Sequence, residues 1–509
     1  MHFFKRQEIW VLLALAVVLL VPVVMRPKQT GTASADATLV IITPHNEAVR
    51  YEFGRAFVDY YFQKTGKRVQ IDWRTPGGTS EITRYLASAY LGAFQNEWVN
   101  RLRQPWSAQV EAAFDNPRAP EAPARKAFLE SNVSSGIDLF FGGGTYDYAK
   151  QAAAGRLVTC PELKNLPFPQ SAGGEVYWDP EGRWAGAALS AFGICYNVDA
   201  LKNAEFPGTP TRWSALADPR LRGKIALADP TQSGSAAKAF EMLIQQQIAE
   251  AGGDPAEGWR RAMRLIRRIA GNARYFSDAA TRIVWDVESG DAAAGMAIDF
   301  YGRFQSEAVR RPDGTSRLGY ITPAGGSSFG ADPIGLLRGA PNPETARAFI
   351  AFVLSPEGQK LWNWKVGTPG GPHKYALRRL PVLPELYAPE FTALRSDPEV
   401  NPFAPGAQAT YHPDWTGSLF YVIGFVVQTM AIDSHQELVA AWNALIEHNF
   451  PPQATALFDD VSAVDYIIAV ETLKPALSQK IEAAQLARKL GDKFRAQYRE
   501  VQALARAKL

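Results

Sequence analysis

The sequence predicts an α/β protein built from strand–helix–strand units, and three observations carry that prediction. Residues 38–43 (Thr-Leu-Val-Ile-Ile-Thr) have the length and β-branched content of a buried strand. Behind the polar start His45-Asn46-Glu47, the apolar residues Val49, Phe53, Phe57, Tyr60 and Tyr61 recur at helical spacing. Gly66 then closes that helix, and residues 68–73 alternate as a second strand. A helix between two strands at this spacing predicts a parallel sheet.

The pattern continues along the chain. Pro76-Gly-Gly-Thr-Ser80 opens a helix running through Tyr90, and residues 136–141 form an apolar strand ending at Gly142-Gly-Gly-Thr145. Further strands are predicted at 186–197, 224–228, 294–299, 318–322 and 331–337, with helices at 234–251, 256–270, 279–289 and 343–353. The tail from about residue 460 is rich in Ala, Lys, Arg, Glu, Gln and Leu and reads as helix with a solvated charged face.

With 509 residues, 47% of them hydrophobic, the chain can bury more than one core. Its 54 Lys and Arg nearly balance 51 Asp and Glu, which argues against a nucleic-acid partner. Residues 9–25 form an uncharged apolar run behind Lys5 and Arg6, the pattern of an export signal. Ala33-Ser34-Ala35 offers a cleavage site, but Arg26, Pro27 and Lys28 set it awkwardly far from the apolar run, so a retained membrane anchor is the favoured reading. The expected location is therefore the periplasm or the outer face of the cytoplasmic membrane. Export would permit a bridge between Cys160 and Cys195, although a buried free thiol is the plainer reading of Cys195. The chain carries no Cys-x-x-Cys, His-Glu-x-x-His or P-loop lysine motif, so a binding protein is expected rather than an enzyme.

In open α/β sheets, ligands collect where strands end and helices begin. Five loops meet that description. The first supplies Thr43, His45 and Glu47; the second supplies Gly78, Thr79 and Ser80; the third supplies Gly144 and Thr145. The fourth, Asp229 to Ser235, offers Ser233, Gly234 and Ser235 at a helix start, which suits an anion but lacks the lysine needed for phosphoryl transfer. The fifth, residues 298–303, offers Asp299, Tyr301 and Arg303. Ser190, within the strand 186–197, completes the candidate set. Trp184, Phe192 and Tyr301 could stack on an organic ligand, but core packing is the simpler role for each.

Several stretches, in this order and spacing, resemble the family 1 extracellular solute-binding proteins of ABC importers. They are Phe192-Gly-Ile-Cys-Tyr-Asn-Val198, the run from Trp213 to Ser235, Ala331-Asp-Pro-Ile-Gly335, Asn342-Pro-Glu-Thr-Ala346 and Leu354-Ser-Pro-Glu-Gly-Gln359. The resemblance covers about residues 38–370. It implies a two-lobed type II periplasmic-binding fold with crossing hinge strands, a ligand held between the lobes, and permease and ATPase subunits as partners. By that analogy residues 1–37 are the signal or anchor and linker, 38–141 with 326–370 the first lobe, 142–325 with 371–445 the second, and 446–509 a helical C-terminal extension.

The glycine and hydroxyl loops favour a small anionic organic solute, phosphorylated solutes included, with no resident cofactor. The alternative implied by the resemblance is ferric ion, held by His45, Glu47, Asp299 and Tyr301. Against it, the loop 142–145 has no carboxylate and residues 299–301 hold one tyrosine where ferric binders commonly have two. A third reading is a ligand sensor that docks on a signalling partner.

Overall fold

The computed structural model describes residues 35–507. The apolar run 9–25, read as signal and anchor, lies outside the described residues. The first units follow the sequence closely: β1 (Ala37–Ile42), α1 (Glu47–Thr65), β2 (Val69–Arg74) and α2 (Thr79–Asn96). Asn46 starts α1 by accepting from the Val49 N–H at 3.2 Å, and Gly66 ends it at φ +70° with its N–H on the Phe62 carbonyl. Next come β3 (Leu139–Phe141), α3 (Thr145–Ala154), a short hairpin β4 (Ser171–Ala172) and β5 (Glu175–Val176), and β6 (Ala185–Ser190).

A second series follows: β7 (Phe192–Asn197), β8 (Ile225–Ala228), α4 (Gly234–Glu250), α5 (Pro255–Gly271), β9 (Ala273–Ser277), α6 (Ala280–Ser289), β10 (Ala294–Ile298), α7 (Asp299–Ala308) and β11 (Leu318–Ile321). The chain then returns through β12 (Gly330–Leu336) to α8 (Pro343–Leu354), and ends in α9 (Phe420–Val427), α10 (His435–Glu447) and the long α11 (Lys480–Arg506).

These strands make two five-stranded sheets, ordered β2-β1-β3-β12-β6 and β11-β7-β10-β8-β9. Both are mixed rather than wholly parallel. β12 pairs antiparallel with β3 and β6, and β7 antiparallel with β10 and β11, because these are the strands at which the chain passes from one sheet to the other. The predicted strand 186–197 is accordingly two strands in two sheets, with Ala191 alone between them. The return passage runs from β11 to β12. Two such passages leave two lobes with a cleft between them.

The expected lobe boundaries differ from this arrangement. Residues 142–190 lie with the first sheet, since β6 is its edge strand and α3 follows directly from β3. Residues 377–387 also pack into the first core, where Leu377, Leu380, Leu383 and Leu386 join Phe53, Phe349 and Trp362. The second core instead collects the C-terminal helices, including Ile423, Val426, Trp442, Phe494 and Tyr498. Arg267 of α5 ties them in: fully buried, it lies under the rings of Phe458, Phe494 and Tyr498 and donates to the Asp460 carbonyl at 3.0 Å. The C-terminal region is thus an integral part of the second lobe.

The helical stretch Pro413–Ile432 is long and apolar enough to cross a membrane by length and composition, yet most of it is buried in this core. Close packing here depends on Gly258, where a Cβ would lie 2.3 Å from the Ile248 backbone of α4. Cys160 is buried in the first core and Cys195 in the second lobe, both as free thiols.

Candidate ligand-binding cleft

Between the lobes lies a cleft of about 650 Å³. Five helices begin on it. From the first lobe, α2 starts at Gly78 and α3 at Gly144; from the second, α4 starts at Ser233, α6 at Ala279 and α7 at Ile298. Only α4 has a side-chain cap, the Ser233 hydroxyl accepting from the Ala236 N–H at 3.3 Å. α7 spends its first N–H groups internally, Asp299 N on the Ala191 carbonyl and Phe300 N on the Asp299 carboxylate. The other helix starts present partial positive charge to the cleft without a capping side chain.

Of the candidate residues, His45, Gly78, Thr79, Gly144, Thr145, Ser190, Ser233, Gly234, Ser235 and Tyr301 line this cleft. Thr43, Glu47, Ser80 and Asp299 do not. Thr43 is fully buried, where its hydroxyl accepts from the His45 N–H at 3.1 Å and shapes that turn. Glu47 is exposed, because α1 buries the face bearing Val49, Phe53 and Phe57. Ser80 is half-buried behind Thr79. Asp299 is fully buried and accepts from Arg303 Nη2 at 2.6 Å, which makes it part of an internal ion pair. The four ferric candidates are therefore not brought together: His45 and Tyr301 face the cleft, while Glu47 and Asp299 lie away from it. The described residues contain no cluster of three or more His, Cys, Asp or Glu side chains suited to a metal ion.

Sequence reasoning missed the charged groups that organise the floor. Arg379 is 3% exposed and reaches four partners: it pairs with Asp332, donates to His45 Nε2 at 2.9 Å and Ser190 Oγ at 3.2 Å, and lies 4.2 Å from the Phe300 ring centroid. Asp332 also accepts from the Gly143 N–H. Burial alone would raise the Asp332 carboxyl, but the Arg379 guanidinium beside it and the Gly143 N–H bring it below its usual range. His45 is held below its usual value chiefly by burial, with Arg379 adding to the effect, so it is neutral and its Nε2 accepts from the guanidinium. Gly142, at φ +95°, makes room for this imidazole: a Cβ there would lie 2.6 Å from the ring.

A second charged group bridges the lobes. Lys238 on α4 pairs at 2.9 Å with both Glu175 of β5 and Glu241. Burial opposes its charge, but the two carboxylates more than offset this and raise its pKa. Tyr411 and Thr416 donate to Glu241 at 2.9 and 2.7 Å, and Ser328 donates to Glu175 at 2.5 Å. Lys238 and Glu241 carried an unused local signal, since Lys238 follows Ser235 and Glu241 follows Lys238, each at i+3. Arg379 carried no such signal, because it lies in a segment without regular structure.

Asp147, in the first turn of α3, is 6% exposed; burial pushes its carboxyl up to about 6, with Lys150 and a hydrogen bond to Tyr421 opposing. A raised folded pKa favours the protonated acid, so this contribution to stability is present below about pH 4 and lost as pH rises through about 6. Asp147→Asn is expected to exceed the wild type in stability at pH 8, by roughly 1–3 kcal/mol, and to match it at pH 4. Thermal unfolding as a function of pH checks this.

Residues 132–381 match the family model for bacterial extracellular solute-binding proteins. That stretch of the chain, just under half of it, belongs to the family. The family is one of binding proteins rather than enzymes. An uncharacterised protein of Haemophilus influenzae is 25% identical over 264 residues, 51% of this chain and 65% of the relative. The phosphoglycerate transport regulatory protein PgtC of Salmonella typhimurium is 26% identical over 174 residues, 34% of this chain and 39% of the relative. The solute-binding chain thus spans less than two thirds of either relative. A solved structure, the periplasmic binding protein AfuA of Actinobacillus pleuropneumoniae with fructose-6-phosphate bound, aligns with 64% of this chain and 82% of its own at 18% identity and a TM-score of 0.44.

Proposed function

We propose that this solute-binding protein captures a small anionic organic solute between its lobes and presents it to the permease of an ABC importer at the outer face of the membrane. The observation that carries the reading is the convergence of helix N-termini from both lobes on one cleft, which suits an oxyanion held by backbone N–H groups. The cleft also contains carboxylates: Asp332 is paired with Arg379, and Glu175 and Glu241 share Lys238 and three hydroxyl donors, whereas Asp147 has only Lys150 and Tyr421 to oppose the rise that burial imposes on it. A cleft of about 650 Å³ falls within the range of roughly 300–1,000 Å³ typical of organic ligands and would leave a bare ion mostly solvated. A solute touching both lobes would shift the population toward the closed form that the permease recognises.

A thermal-shift screen tests the proposal with fructose 6-phosphate, 3-phosphoglycerate, inorganic phosphate, ferric citrate and putrescine. An organic anion at a hundredfold excess over its Kd is expected to raise the unfolding midpoint by about 3 °C. A shift with ferric citrate or putrescine alone would overturn the reading.

A further inference from the structure

The family match ends at residue 381, yet Tyr411, Gly417 and Phe420 line the same cleft. At its mouth the Tyr146 ring, one residue into α3 of the first lobe, stacks on Phe420 with centroids 5.0 Å apart and planes at 26°. Tyr146 also meets Tyr421 edge-on at 5.1 Å and 83°, and Lys150 Nζ lies 4.8 Å from the Tyr421 centroid. Phe420 and Tyr421 begin α9, whose Val422, Ile423 and Val426 are buried in the second lobe. The three rings therefore join the lobes across the cleft, and separating the lobes must break the stack. Tyr146 and Phe420 are only half-buried and Tyr421 is 44% exposed, so the stack contributes little to either core.

We propose that Tyr146, Phe420 and Tyr421 form an aromatic clasp, supplied by the segment beyond the family match, that holds the closed form and so sets how tightly the solute is retained. The clasp rests on the reading of the cleft as the solute site. A stacked pair of this geometry is worth enough to change the closed-to-open ratio about fivefold. Solute affinity falls with it, by up to the same factor, since only the closed population retains the ligand.

The test measures lobe separation in the full chain without added solute. Spin labels are placed through Tyr85→Cys on α2 and Trp285→Cys on α6, both exposed, while native Cys160 and Cys195 are fully buried and stay unlabelled. Electron–electron resonance distances then give the closed and open populations. Phe420→Ala is expected to lower the closed-to-open ratio about fivefold. Tyr146→Ala, which also removes the edge contact to Tyr421, should lower it at least as much, and the double variant should do no more than Tyr146→Ala alone, because Phe420 acts across the cleft through that ring. Phe420→Leu, which keeps an apolar side chain, serves where the alanine variant unfolds early and should show a smaller change in the same direction. Distance distributions unchanged from wild type, or effects of Tyr146→Ala and Phe420→Ala that simply add, would overturn the clasp. Because no solute is present, that result would leave the anionic-solute reading standing, whereas failure of every anion in the thermal screen would overturn that reading and not the distance result.

Discussion

Arg379→Ala is expected to destabilise the protein by about 3–5 kcal/mol, the cost typical of removing one partner of a buried ion pair. The size follows from what is left behind. Asp332 would remain buried, with the Gly143 N–H and His45 as its partners, and Ser190 and the Phe300 ring would face the space vacated by the guanidinium. The variant should also reverse the behaviour of His45. With the neighbouring cation gone and Asp332 still 3.2 Å away, the imidazole becomes the available counter-charge and its pKa should rise. A raised folded pKa for histidine gives stability that is present at low pH and lost as pH rises through it, so Arg379→Ala should recover part of its deficit below about pH 6. Adding Asp332→Asn should recover part of it at every pH, because the orphaned charge is removed as well. Denaturant unfolding at pH 5 and pH 8 measures all three; a loss under about 1 kcal/mol at pH 8 would show that Arg379 does not neutralise the cleft floor.

Ser235→Asp should have the largest effect on function while sparing the fold. Position 235 is in the first turn of α4, where a carboxylate complements the helix dipole and is worth roughly 0.3–1 kcal/mol of stability. The same carboxylate would face the cleft at the place where an anionic solute is expected. Two like charges about 5 Å apart at an effective dielectric near 20 repel by about 3 kcal/mol, which predicts affinity for an organic anion falling roughly a hundredfold. A cationic solute would bind more tightly to the same variant. Calorimetric titration of the strongest solute from the thermal screen distinguishes the signs, and unchanged affinity would place the solute away from α4.

Much of this cleft was legible because helix starts are local features. The glycines and hydroxyls at 78–79, 144–145 and 233–235 could be placed from strand ends alone, and the cleft brings them together. What failed depended on phase or on distant pairing. Glu47 shares a turn with His45, but the apolar stripe of α1 turns it outward. Asp299 directly follows a strand end, yet Arg303 four residues on draws it into an internal pair. The passage between lobes was invisible because Ser190, Ala191 and Phe192 continue an apolar run, and nothing local marks the residue at which a strand changes sheets. Arg379 and Asp332 meet from an irregular segment and a strand 47 positions apart, a pairing that no periodicity encodes.

Native mass spectrometry of the freshly purified protein, compared with its denatured mass and with the Ser235→Asp variant, tests the central claim most directly. The account predicts an added mass in the native wild type that fragments as an anionic organic compound and is absent from the variant. An added mass of iron, or of an organic cation retained by Ser235→Asp, would contradict it.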